Sequence, residues 1–401
     1  MRILQLSPQV PLPSDNGGKI GIYGITKYLS ERGNEIHFVA FKKASDKEQS
    51  LSELKKICIP HLLNVSTKNS LFDIFINLFS PVPYNISKYY KEELKHFLAD
   101  FFHRTEVDII HIDHLHLGWC VDVIKGLTSA PVVLREHNLE LKIMQRYSEN
   151  QHNYFLKKYS EIQYRKFLKY EPVLAGKFDE CIMVSGEDEK SLLEMNPKVK
   201  TTSIGVGVNS NSLNFIKKET IPYSIFHLGS LEWFPNHEGL KWYLEEIFPL
   251  ILKEIPEVKL YLYGKGTEKV KISDNISSNI INVGYVQNVW AEIADKQLAI
   301  VPLRIGSGIR VKIIEMLGIG QNILSTSIGK EGIDVEDGKE IIIADSAQEF
   351  ITKTISYFNH VYNSEQLSKN AKNKIREKYT WEKIAEQFEN EYKKLILISK
   401  N

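Results

Sequence analysis

Cysteine is scarce in this sequence, with only Cys58, Cys120 and Cys181 in 401 residues. They are odd in number, far apart and without paired zinc-type spacing, which excludes a disulfide framework and fits reduced thiols in a cytoplasmic protein. Long apolar runs are missing as well. No stretch approaches the ~18 uninterrupted apolar residues of a membrane-spanning helix. The short run Ile3 to Leu6, with Gln5 inside it and Ser7-Pro8 after it, is expected to be a first strand and not a signal peptide. An excess of one charge is the third absence. The 51 basic and 50 acidic residues nearly cancel, and residues 1–200 hold 27 and 25 of them. No polyanion-binding field results, so nucleic acid is not expected as a partner.

What the chain has is length and alternation. At this size two domains, each with its own core, are the default. Strand-like and helix-like segments alternate throughout, the pattern of parallel sheets flanked by helices, so the fold class is α/β. Residues 1–205 form the first expected domain and 223–378 the second. Between them, residues 206–222 lose periodicity and gain Gly, Asn and Ser, as a linker does. Residues 379–401 make a last amphipathic helix, able to pack back on the first domain.

The most informative stretch runs from Leu298 to Gly318. Leu298 to Val301 suits a buried parallel strand, which Pro302 ends. Gly306 and Gly308 let the chain turn tightly and approach a ligand. Ile309, Ile313, Met316 and Leu317 then recur at helical spacing, with Gly318 expected to close the helix in a left-handed conformation. A helix starting after a glycine loop presents free N–H groups and a positive dipole end, suited to a phosphate. Arg310 and Lys312 add cationic reach; the plain alternative is a solvated Lys312–Glu315 ion pair.

Polar groups collect at other strand ends. The loop Pro8 to Gly18 precedes a helix carrying Ile20, Tyr23 and Leu29. Ile36 to Phe41 is a second strand, and residues 46–57 a polar helix. In Leu71 to Phe79, Leu71, Ile74, Phe75 and Leu78 share a helical face that Phe72, Ile76 and Phe79 widen. A buried core helix is the favoured reading, with peripheral contact to a membrane surface or a lipid-linked substrate as the alternative. The strand Asp108 to Asp113 runs into His114, Leu115 and His116. Strand alternation sends His111 and Asp113 to one side and Ile112 and His114 to the other, which favours a polar cleft edge over a metal site. The next strand, Pro131 to Leu134, ends in Arg135, Glu136, His137 and Asn138. In the second half, Ser224 to Leu228 leads into Gly229-Ser230, and Val258 to Tyr263 into Gly264-Lys265-Gly266.

Taken together, Gly229-Ser230-Leu231-Glu232-Trp233-Phe234-Pro235-Asn236, Val301-Pro302-Leu303 through Gly308 to Glu315, and Ser325 to Gly332 resemble the GT-B glycosyltransferases of family 4. The Pro13 to Gly18 loop and the Asp108 to Asp113 strand match too, so the resemblance covers nearly the whole chain. It implies two Rossmann-like domains facing a cleft and retaining transfer of a sugar from a nucleotide-sugar donor. The acceptor would be a saccharide or a lipid-linked molecule, in bacterial surface polysaccharide or glycoconjugate synthesis. No metal or other cofactor is implied, and the location is cytoplasmic or at the inner face of the membrane. Carried onto this chain, Glu315 would bind the ribose hydroxyls. Gly306, Ser307, Gly308 and Ile309 with the following helix would take the diphosphate, and Gly229 and Ser230 would line the phosphate side. Tyr285 and Val286 would face the base, and Gly17 and Gly18 would close over the cleft. Glu136, His137 and Asn138 are the acceptor-side candidates.

Three parts of the chain depart from the family pattern. Ser307 stands where many members carry a glutamate. Glu232, Trp233 and Asn236 occupy the region of a usual basic pair, for which Arg310 and Lys312 would compensate. The family histidine falls on Asp113 with His114 beside it, so Asp113, His114, Arg310 and Lys312 are the candidate catalytic residues. A sugar-nucleotide epimerase and a silent nucleotide-sugar-binding subunit are the alternatives.

Overall fold

The computed structural model describes residues 1–14, 17–44, 46–149, 151, 153–210, 213, 219–306 and 308–400. The chain divides into two compact units, Met1–Gly207 with Trp381–Asn401, and Val208–Thr380.

Unit 1 holds seven strands, β1 Arg2–Ser7, β2 Glu35–Phe41, β3 Ile59–Leu63, β4 Ile109–Asp113, β5 Val132–Glu136, β6 Glu180–Met183 and β7 Thr201–Ser203. They form one sheet in the order β3-β2-β1-β4-β5-β6-β7, and every pairing is parallel. Between them run α1 Gly17–Glu31, α2 Glu48–Leu54, α3 Leu71–Asn77, α4 Tyr84–Ser87, α5 Glu92–Arg104, α6 Val121–Lys125, α7 Glu140–Glu149, α8 Tyr154–Ala175 and α9 Gly186–Met195. The order reverses between β1 and β4, so the carboxyl ends of these two strands open a crevice of the kind in which α/β sheets bind ligands. The near-continuous apolar runs of β1, β2 and β4 follow from burial on both faces.

Unit 2 repeats the plan with six parallel strands, β8 Ser224–Leu228, β9 Lys259–Tyr263, β10 Ile280–Gly284, β11 Leu298–Val301, β12 Asn322–Ser325 and β13 Ile342–Ile343. Their order is β10-β9-β8-β11-β12-β13, with the reversal between β8 and β11. The helices are α10 Phe234–Trp242, α11 Phe248–Glu254, α12 Asp274–Ser277, α13 Val289–Ile293, α14 Val311–Ile319, α15 Ala347–Phe358 and α16 Ser364–Lys378. One core lies on each face of this sheet. Ile225, Leu260 and Ile300 meet α10, α11 and α15, while Phe226, Ala299 and Ile323 meet α14 and α16.

Three local expectations need correction. Strand β3 has no counterpart in the sequence reading; it accommodates Pro60 because it is an edge strand, where a missing N–H is tolerated. Helix α14 ends at Gly320 (φ +86°), not Gly318. The Gly320 amide donates to the Leu317 carbonyl and the Gln321 amide to Met316, a Schellman ending. Gly318 is needed for space instead, since a Cβ there would lie 2.4 Å from Leu213 Cδ2. Helix α3 is not buried: Leu71 is 86% exposed and Phe72 70%.

The last helix, α17 Trp381–Ser399, belongs to unit 1. Trp381 is buried and stacks on Tyr28 of α1, ring centroids 6.2 Å apart. Its indole fills the space beside two glycines. A Cβ on Gly24 would lie 2.1 Å from Trp381 Cζ2, and one on Gly207 2.6 Å from Cδ2. Arg32 reinforces the contact through a 2.7 Å ion pair with Glu389. Filling an exposed helical glycine normally stabilises by up to about 1 kcal/mol. Gly24→Val should instead destabilise unit 1 by about 2 kcal/mol through overpacking against the indole. Thermal unfolding of the variant with Trp381→Ala added checks the cause, because the second change should relieve part of the loss.

Candidate active site

In unit 1 the crevice between β1 and β4 is built on a buried carboxylate. Asp113 closes β4, and its neighbours on the same sheet face come from β1 and β5. Gln5 Nε2 donates to Asp113 Oδ2 at 2.7 Å and His137 Nε2 to Oδ1 at 3.1 Å. His111 Nε2 lies 3.3 Å and Arg135 Nη1 3.7 Å from Oδ1. Burial opposes the charge, but His111, His137 and Arg135 outweigh it and hold the carboxyl well below its ordinary range. An anion this enclosed orients its partners and has no free edge for a substrate. Asp113, a catalytic candidate from the sequence, is fully buried and spends both carboxylate oxygens on protein partners.

The groups it orients are better placed. Because Asp113 is ionised, its bond fixes the proton of His137 on Nε2 and leaves Nδ1 as an acceptor. His114, at φ +67°, leaves the strand and stacks on His137 with centroids 4.0 Å apart. Burial, with Arg135 beside it, lowers His137 to about 4. Burial and the facing His137 take His114 well below its usual value. Both rings are neutral at pH 7 and can accept a proton or a hydrogen bond. Helix α1 packs directly on them, since a Cβ on Gly21 would lie 2.9 Å from His137 Cε1. Gly17 and Gly18, expected just before this helix, are its first two residues. Asn138 is half-exposed after β5.

Glu136 is not on this side. Strand alternation sends Arg135 and His137 toward Asp113 and Glu136 to the opposite face, where it is 1% exposed. It confronts Glu171 of α8, which accepts from the Glu140 and Leu141 amides at 2.9 and 2.8 Å. Glu136 was assigned to the acceptor side; burial in the core corrects this. The three nearby histidines also separate: His111 bonds Tyr392, His114 stacks on His137, and His116 approaches Glu140 at 4.0 Å. Among the described residues no group of three or more His, Cys, Asp or Glu side chains is arranged to hold a metal ion.

In unit 2 the ends of β8, β9, β10 and β11 meet the starts of α10 and α14. The Gly229 amide donates to Tyr263 and the Gly264 amide to Gly284. Gly264 (φ +134°) brings the chains so close that a Cβ would lie 2.1 Å from the Gly229 carbonyl oxygen. Lys312, in the first turn of α14, donates to the Leu228 carbonyl at 2.6 Å and to Asn236 Oδ1 at 3.2 Å. Asn236 in turn donates to the Ser230 carbonyl at 2.9 Å. The ammonium is thus committed to the glycine turn, and the ion-pair alternative with Glu315 is not what the structure shows. Burial, with Arg310 beside it, lowers Lys312 to about 7. Arg310 precedes the helix, donates to the Gly308 carbonyl and lies over the Trp233 ring at 5.4 Å. Gly306 leaves room for it, as a Cβ would lie 2.5 Å from Nη2. Ile309 packs on the core, and Ser307 lies outside the described residues. Glu315, one turn along α14, is raised to about 7 by burial. Tyr285 is exposed, with Lys265 Nζ 5.5 Å from its ring centre, and Val286 packs against the core. His227 was missed by sequence reasoning: it is buried in β8 and lowered to about 3 by burial and by Lys312. An apolar-flanked histidine inside a strand carries no motif that would have marked it.

Both halves match known sequence families. The model described as Glycosyltransferase Family 4 covers residues 16–212, and that described as Glycosyl transferases group 1 covers residues 222–360. The chain belongs to the family 4 glycosyltransferases. An uncharacterized 44.6 kDa protein in the cps region of Klebsiella pneumoniae is 22% identical over 96% of this chain and 97% of its own length. Sucrose-phosphate synthase of Thermosynechococcus elongatus shares the fold with TM-score 0.69 and 15% identity, over 99% of this chain and 100% of its own. HepE of Anabaena, solved with UDP, gives TM-score 0.68 and 14% identity, over 98% and 100%.

The carboxyl pair in unit 1 of this glycosyltransferase makes its stability depend on pH. Burial and the facing carboxyls push Glu136 and Glu171 well above the usual carboxyl range. A value raised in the folded state means the stabilisation is complete below the unfolded value of about 4.3 and is lost as the pH climbs toward the folded one. Measured relative to Glu136→Gln, the melting temperature should therefore fall between about pH 5 and about pH 8. Thermal melts of both proteins across this range provide the check; parallel slopes would refute it.

Proposed function

We propose that this glycosyltransferase moves a sugar from a nucleoside-diphosphate sugar to a saccharide or lipid-linked acceptor with retention of configuration. The observation that carries the proposal is the gathering, in unit 2, of the glycine turn at Gly229, the Arg310 and Lys312 cations, and the start of α14 at one end of the sheet. Departure of a nucleoside diphosphate concentrates negative charge on its outer phosphate, and stabilising that charge is the main catalytic task. The α14 amides, Arg310 and Lys312 would share it, with no metal or other cofactor. Glu315 would accept from the ribose hydroxyls, and Tyr285 and Val286 would border the base. In unit 1, His114 and the Nδ1 of His137 are the groups available to an acceptor hydroxyl. Among the described residues no serine or cysteine is set up as a covalent nucleophile, which suits retention without an enzyme-bound intermediate. The HepE complex with UDP favours a uridine donor, and the cps-region relative favours a role in surface polysaccharide synthesis.

Calorimetry with UDP and GDP tests the donor site. One of the two should bind, and Glu315→Ala should weaken it about tenfold or more, the loss of a hydrogen bond to a charged group. A folded variant with unchanged affinity would remove Glu315 from the site.

Lys312 gives a second signature. Its value of about 7 should rise when a diphosphate arrives, so binding at about pH 8 should take up a proton, and binding at about pH 6 should not. Binding enthalpies in buffers of different ionisation enthalpy measure that uptake. Lys312→Met should abolish it.

A further inference from the structure

Helix α3 is amphipathic in the reverse sense. Its one buried residue, Asn77, faces inward and is held there by polar bonds. Asn77 Nδ2 donates to the Val82 carbonyl at 2.9 Å, and its Oδ1 accepts from Gln163 Nε2 and Lys166 Nζ of α8, both at 3.1 Å. The outward side is apolar: Leu71, Phe72, Phe75, Ile76 and Phe79 are between 51% and 86% exposed. A polar anchor with an apolar outer face is what a soluble surface avoids, since contiguous exposed apolar patches mark interaction sites.

The helix it is pinned to supplies the second observation. Residues 154–177 carry six basic side chains, Lys157, Lys158, Arg165, Lys166, Lys169 and Lys177, against two acidic ones. Of the two, Glu161 is paired with Lys158 at 2.9 Å and Glu171 is buried; Lys177 pairs with Asp122 at 2.5 Å and Lys166 is held by Asn77, so the outward cations are Lys157, Arg165 and Lys169. The excess is local in a chain whose net charge is +1. Apolar groups stand among these cations, with Phe155 and Val173 strongly exposed. Along the same side of α8, Arg165, Lys166 and Lys169 line a groove of about 690 Å³ with Trp119, Tyr90 and Pro81.

We propose that the outward sides of α3 and α8 form a membrane-contact surface whose occupant is an anionic phospholipid bilayer. The α3 side chains would enter the acyl boundary while the lysines and arginine meet the headgroup phosphates, the two contributions that hold an amphipathic helix at an interface. Charge decides between this occupant and a second copy of the chain. A two-fold contact would set the cationic stripe against itself, whereas an anionic surface complements it. The inference goes beyond the donor reading and does not depend on it.

Co-sedimentation of the full chain with vesicles tests it. The protein should bind vesicles containing phosphatidylglycerol and remain largely free with phosphatidylcholine alone. Phe72→Gln with Phe75→Gln should weaken binding about tenfold or more through lost apolar burial. Arg165→Glu with Lys169→Glu should remove the preference for phosphatidylglycerol. All four positions are solvent-facing, so melting temperature and UDP affinity should stay at wild-type values in both variants. Wild-type protein that stays in solution with both vesicle types would overturn the proposal. So would a concentration-dependent dimer that Phe72→Gln with Phe75→Gln dissolves, because a second copy would then be the occupant. A wild type that binds vesicles but neither UDP nor GDP would sink the donor assignment alone.

Discussion

A carboxylate cut off from water must be neutralised by its surroundings, and in unit 1 the surroundings of Asp113 come from four separate elements. Gln5 belongs to β1, His111 to β4, Arg135 to β5 and His137 to the segment just after it. The same network extends to α1, because Arg135 donates to the Gly21 carbonyl and Thr26 to Gln5. It extends to α17 through the His111–Tyr392 hydrogen bond and the Phe388 ring beneath the Arg135 guanidinium. Removing one partner of such a buried cluster leaves the other charge uncompensated, so its members are bound together in a way surface ion pairs are not. The final helix of the chain is thereby tied to the strand ends where His114 and His137 are displayed, and Trp381 between two glycines secures its near end.

Unit 2 solves a related problem with a different residue. A lysine placed at the start of a helix meets the positive end of the dipole, and Lys312 also has Arg310 beside it. Two acceptors, the Leu228 carbonyl and Asn236, partly offset this, and burial with Arg310 alongside lowers the ammonium to about 7, so that it is only partly protonated at neutral pH. A dianion arriving at the same place would reverse each of these unfavourable terms. The strain is thus concentrated where a phosphate would relieve it, as expected of a site organised around a ligand charge.

Much of this was legible because the buried parallel strands are short apolar runs closed by polar residues or glycine, as at Leu298 to Val301 and Ser224 to Leu228. The gathering of Gly229, Lys312 and Arg310 was also foreshadowed, since each lies just past a strand end or at a helix start. What escaped depends on three-dimensional neighbours. Strand β3 escaped because sequence does not say which strand is at an edge, where Pro60 is tolerated. Leu213 and Ile375 explain why Gly318 is a packing glycine and Gly320 the helix stop. Alternation was applied correctly to Asp113, but only the partners contributed by β1 and β5 turn a strand-end carboxylate into an enclosed one. For Glu136 the same alternation points to the opposite face, a consequence that a cluster of polar letters conceals.

Helix α3 shows how far local pattern can mislead about burial. Its apolar periodicity is genuine, and in most soluble proteins such a stripe turns to the core. Here the decision rests on Asn77, whose amide finds Val82, Ser87, Gln163 and Lys166 on the inner side. Turning the helix to bury the phenylalanines would break these bonds and leave Lys166 without its Asn77 acceptors, next to apolar surface. Uncompensated polar groups of this kind cost about 1–3 kcal/mol each when buried, comparable with the gain from hiding one phenylalanine side chain. The four polar partners of Asn77 thus supply an opposing term of the same order as the apolar burial forgone, and the stripe faces outward.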